Sequence, residues 1–82
     1  MFWVKIMAKR YERIRNLRED SDLTQAAVGA QINVPQRTYA YYESGERMIP
    51  PQTLVALAKF YHVSVDYLLG ITDQKAPYPP KE

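Results

Sequence analysis

The chain of 82 residues contains no cysteine, so disulfides and thiolate metal sites are excluded and nothing points to an oxidising compartment. It has one histidine, His62, and a lone imidazole cannot build a structural metal site. No nucleophile–base pair or ligand set can be assembled from such an inventory. An enzyme is therefore the least supported class, and no catalytic residue, metal, cofactor or small-molecule ligand is expected. Long apolar runs are missing too. The longest cluster, Met1 to Val4 followed by Ile6 and Met7, falls far short of the roughly 20 residues that span a bilayer. Its length and flanks do not suit a secretory signal either, so no membrane association and a cytoplasmic location are expected. Nor is there a strong excess of charge: a net charge of +2 and a pI near 9.0 permit nucleic acid as a partner without arguing for it.

Hydrophobic residues form 46% of the chain, enough for one small globular domain and too many for a disordered one. A core of this size is modest, so every element must contribute to it. The cations are unevenly spread. Residues 1–20 hold Lys5, Lys9, Arg10, Arg13, Arg15 and Arg18 against Glu12, Glu19 and Asp20, whereas the remainder has five cations and six anions. Attraction to phosphate would thus come mainly from the first helix and a few flanking residues.

Apolar residues at Tyr11, Ile14 and Leu17 within Lys9–Asp20 predict a helix with an arginine-rich outer face. Ser21-Asp22 interrupts it, and Leu23 reads as a plug between elements. Thr24 is a good N-cap for a second helix, with Val28 and Ile32 on one face and Asn33 as its left-handed cap. Pro35 fits the first turn of a third helix, which keeps Tyr39 and Tyr42 on its inner side and stops at Gly45. Glu46 to Ile49 is a connector. Pro50-Pro51 opens a fourth helix with the stripe Leu54, Leu57, Ala58 and Tyr61, and His62-Val63 turns the chain. Ser64 caps a fifth, short helix closed by Gly70. The stretch from Thr72 to Glu82, with Pro77, Pro79 and Pro80, is expected to be extended and poorly ordered. The expected organisation is a lead-in over 1–10, a domain over 11–70 and a tail over 71–82. The fold class is all-α, with five helices.

The interval from Thr24 to Gly45 carries the functional reading. A short helix, a tight turn and a second short helix make a geometry that presents the second helix to the major groove of DNA. Close crossing needs small residues, and Ala26, Ala27, Gly29 and Ala30 supply them. Gly29 in a helix interior is disfavoured by about 1 kcal/mol relative to alanine, which points to a packing reason for it. On the helix 36–43, Gln36, Arg37, Ala40 and Tyr41 are expected outside, with Thr38 near its start. Amide and guanidinium groups suit base edges, and a small residue suits a thymine methyl. Gln25 is expected to reach a phosphate and to brace Gln36.

The pattern formed by Thr24-Gln25, Asn33-Val34, Tyr42-Glu43, Gly45, Leu54, Leu57-Ala58 and Val63 to Gly70 resembles the Cro/Xre-type helix-turn-helix family of phage and bacterial repressors, over about residues 11–70. The resemblance implies a compact five-helix, lambda-repressor-like bundle that binds a pseudo-palindromic operator in double-stranded DNA as a homodimer, most readily as a repressor. It places Gln25, Gln36, Arg37, Thr38 and Tyr41 at DNA-facing positions and Arg47 at a position that touches phosphate. It also implies a buried structural ion pair between Arg18 and Glu43. Pro35 stands where the family has a capping serine, and Ala40 and Tyr41 replace more polar types. The lead-in Met1–Met7 lies outside the resemblance, and Met7 is an alternative start.

Blander readings compete. Arg13 and Arg15 read first as a solvated helix face, and only the family pattern raises Lys9, Arg10 and Arg15 to equal candidates for phosphate. Tyr39 and Tyr42 read as core, His62 as a packed or solvated residue, and Asp66 as a helix-dipole partner. The rival function is a protein–protein module of the same bundle that pairs with a toxin or another regulator. Phe2-Trp3-Val4 and the proline tail are candidate surfaces for such pairing or for the homodimer, for which the last helix also qualifies.

Overall fold

The computed structural model describes residues 11–77. Lys9, Arg10, the lead-in Met1–Met7, Pro79 and Pro80 lie outside them. The described residues form α1 (Glu12–Asp20), α2 (Gln25–Gln31), α3 (Gln36–Ser44), α4 (Pro51–Tyr61) and α5 (Val65–Leu68), with no strand among them. The expected all-α, five-helix architecture is the one observed. Helix α2 packs against α3, α1 lies against both α3 and α5, and α4 packs on α5. Ile14, Val28, Tyr39, Leu57 and Leu68 are fully buried where these elements meet.

Two helices begin at side-chain caps. Thr24 Oγ1 accepts from the Ala27 N–H at 3.0 Å, and Ser64 Oγ accepts from the Tyr67 N–H at 3.0 Å. Helices α3 and α4 instead follow Pro35 and Pro50, neither of which offers a side-chain acceptor. Pro35 stands one residue before α3 rather than in its first turn. Its φ of −57° would suit a helix, but its ψ of 145° is extended, so helical geometry starts at Gln36.

All five helices stop in the same way. A residue in the left-handed region follows the last turn, and the next N–H reaches back to a carbonyl five residues earlier. Leu23 donates to Arg18 past Asp22, Val34 to Gly29 past Asn33, and Glu46 to Tyr41 past Gly45. Val63 donates to Ala58 past His62, and Ile71 to Asp66 past Gly70. The repeated device turns the chain sharply at each corner, which lets elements as short as α5 pack without long loops.

The connector before α4 joins the core. Ile49 is buried, and its N–H donates to Tyr11 Oη at 3.0 Å. The tail also departs from expectation. Ser64 N–H donates to the Lys75 carbonyl at 2.9 Å, and the Arg13 guanidinium donates to the Tyr67 carbonyl, the Thr72 carbonyl and Asp73 Oδ1. The same guanidinium lies 4.4 Å from the centre of the Tyr67 ring. Arg13 is thus neither a solvated residue nor a free phosphate ligand: it fastens Thr72 and Asp73 to the bundle.

Candidate nucleic-acid interface

The turn between α2 and α3 is built around Gly29. The Val34 N–H donates to the Gly29 carbonyl at 2.8 Å, and a Cβ placed on Gly29 would lie 2.6 Å from the Val34 carbonyl oxygen. The helix therefore has no room for a side chain where the chain doubles back, so glycine's poor helix propensity is accepted there. Only part of the expected small-residue seam serves this crossing. Ala27 is half-buried, whereas Ala26 and Ala30 face solvent.

Helix α3 is two-sided. Tyr39 and Tyr42 are buried in the core, and Gly45 (φ 82°) ends the helix. On the other side Gln36 and Arg37 are exposed, and Thr38 and Tyr41 are half-exposed. Ala40 is half-buried rather than fully outside, because it lines a small cleft of about 110 Å³ with Arg15, Gln25, Glu43 and Ser44. Arg47, just beyond the helix, is exposed, and its guanidinium lies 4.5 Å from the centre of the Tyr41 ring.

Behind this face lies a buried polar cluster. Arg18 Nε donates to Glu43 Oε2 at 2.5 Å and Arg18 Nη2 to Glu43 Oε1 at 3.2 Å, with side-chain exposures of 14% for the arginine and 3% for the glutamate. Arg18 Nη1 also donates to the Leu23 carbonyl at 2.9 Å, so α1, the corner after it and the end of α3 share one guanidinium. Gln25 Nε2 donates to Glu43 Oε1 at 3.2 Å; the amide expected to brace Gln36 braces the carboxylate instead, because Glu43 presents the stronger acceptor. Burial pushes the Glu43 carboxyl up, but the surrounding donors, Arg18 foremost, outweigh it and hold it below the usual carboxylate range. The Tyr39 and Tyr61 hydroxyls are buried without a hydrogen bond of ordinary geometry. Burial first, and Glu43 in addition, raise both phenols, Tyr61 to about 12. Glu43 therefore carries a fixed negative charge inside the bundle that anchors α3 from behind.

The helix-turn-helix family profile matches residues 14–68, which take in all but the first two residues of α1 and everything through α5. The chain belongs to the helix-turn-helix family, of the Cro/C1 type. An uncharacterised helix-turn-helix-type transcriptional regulator of Bacillus subtilis, YobD, is 39% identical over 66 residues, or 80% of this chain and 59% of that protein. The cryptic phage CTXphi transcriptional repressor RstR of Vibrio cholerae is 40% identical over 58 residues, or 71% of this chain and 52% of that one. The crystal structure of a transcriptional regulator from Listeria innocua superimposes with a TM-score of 0.71 at 33% identity, covering 78% of this chain and 60% of that one. The chain thus spans between half and three-fifths of the length of these three proteins.

Sequence reasoning missed three groups that shape the bundle and this face: Arg13 as a fastener, Tyr11 Oη as an acceptor for the connector, and the placing of the Arg47 guanidinium over the Tyr41 ring. Ile49, a β-branched residue in a connector that otherwise faces solvent, was the available sign for the second. No helix among the described residues is long and apolar enough to cross a membrane.

Proposed function

We propose that this chain binds double-stranded DNA sequence-specifically through α3 and acts as a transcriptional repressor. One observation carries the reading: α3 is locked into the core by Tyr39, Tyr42 and Glu43 while Gln36 and Arg37 project from its opposite side, in a chain of the helix-turn-helix family. The rigid inner side fixes the angle of the outer one, which base reading requires. Gln36 and Arg37 supply donors and acceptors for base edges, and Thr38 and Tyr41 extend the same face. Gln25 and Arg47 flank it and suit phosphate. The repressor sense rests on the name of the Vibrio cholerae relative.

The chain acts as a homodimer on a pseudo-palindromic operator, with the two α3 helices in successive major grooves about 34 Å apart. It works in the cytoplasm, where its operator is. Selection of bound duplexes from a random pool, followed by gel-shift titration with competitor DNA, tests the reading. Enrichment of one two-fold-related motif and a shift that survives competitor are expected. A pool that never enriches, together with retention of a protein partner, would replace this reading with a protein–protein module.

A further inference from the structure

Tyr41 and Arg47 are brought together by the corner that ends α3. Gly45 turns the chain back, so that the Glu46 and Arg47 N–H groups both donate to the Tyr41 carbonyl, at 3.1 and 3.3 Å. The Arg47 side chain therefore leaves the backbone beside Tyr41, and its guanidinium settles over the ring at 4.5 Å from the centroid. The neighbouring carboxylate does not compete for it. Glu46 Oε1 accepts from Ser44 Oγ at 3.1 Å, and among the described residues Arg47 forms no ion pair.

We infer that Tyr41 is a positioning residue for a phosphodiester clamp: its ring holds the Arg47 guanidinium in place, and Arg47 makes the contact with the DNA backbone. A guanidinium stacked by its face keeps its N–H donors in its own plane, free for the oxygens of one phosphate. The ring also restricts a side chain that is otherwise free to rotate, so less order is lost when the phosphate arrives. Tyr41 then contributes to affinity and not to base choice, because one face of its ring is already covered. The inference rests on the DNA-binding reading above and gives this residue a different role from Gln36 and Arg37.

The test uses the full chain and two probes: the duplex most enriched from the random pool and a duplex of shuffled sequence, titrated by fluorescence anisotropy. Tyr41→Ala should weaken both duplexes by the same factor, about two- to five-fold for an exposed cation–π pair. Tyr41→Phe keeps the ring face and should restore most of the affinity that Tyr41→Ala loses, on both duplexes alike. In an Arg47→Ala background, Tyr41→Ala should cost nothing further, since its effect passes through the arginine. A change in the ratio between the two duplexes, or additive losses in the double variant, would overturn the inference. A proton NMR readout separates its failure from failure of the function. The Arg47 side-chain protons should carry a ring-current shift without DNA, lost in Tyr41→Ala and kept in Tyr41→Phe. Absence of that shift in a chain that binds DNA overturns the clamp alone. Its presence in a chain that binds no duplex overturns the DNA-binding reading and the clamp with it.

Discussion

A single methyl group is enough to test the corner between α2 and α3. On propensity alone Gly29→Ala would stabilise a helix by about 1 kcal/mol. The added Cβ meets a backbone oxygen, which cannot rotate away. The expected result is a net loss of about 1–3 kcal/mol in urea unfolding, the size seen for overpacking; a gain would show that the turn can relax. Glu43 gives the second test at this scale. Arg18→Ala leaves a buried carboxylate without its main partner and should cost about 3–5 kcal/mol. The sign with pH follows from the lowered carboxyl. The stability it provides is complete above its ordinary value of 4.5 and is lost as pH falls through the depressed value in the folded state. The urea midpoint should therefore drop below that pH in the natural chain, and Arg18→Ala should flatten the drop. An equally steep acid limb in the variant would place its origin elsewhere.

Each of the five helices of the described residues ends on a left-handed residue. Three of the five left-handed residues are not glycine: Asp22, Asn33 and His62. Side chains in that region are strained, aspartate and asparagine least because they bond locally. His62 is exposed at the end of α4, so His62→Gly should raise stability by up to about 1 kcal/mol in thermal unfolding. A lower melting temperature would mean that the imidazole makes a contact worth more than the strain. Arg13 supplies the other element-scale test. Arg13→Ala should release Thr72–Lys75, so that the Ser64 amide, which donates to Lys75, exchanges faster while the amides of α3 keep their protection. Unchanged exchange at Ser64 would show that the tail is held by other contacts.

At the scale of the whole molecule, the sequence disclosed the order of helices, because Thr24, Ser64, Asn33, Gly45 and Gly70 mark local boundaries by side-chain chemistry alone. Tyr39 and Tyr42 were legible as core from helical spacing. Contacts made across the fold were not legible, since no local pattern announces them. The Arg13 fastener joins residues about 60 positions apart, and Ala26 and Ala30 turned outward because only the position facing the turn had to be small. The Gln25 amide went to Glu43 because tertiary packing brought a charged acceptor within reach.

In the proposed function α3 reads bases through residues such as Arg37, held from behind by the core. Anisotropy titrations of Arg37→Ala against the selected duplex and its shuffled counterpart test it most directly. A fall of roughly 5- to 150-fold on the selected duplex, corresponding to about 1–3 kcal/mol, with little change on the shuffled one, is the expected outcome. Equal losses on both duplexes would make Arg37 a phosphate contact and contradict base reading at that position.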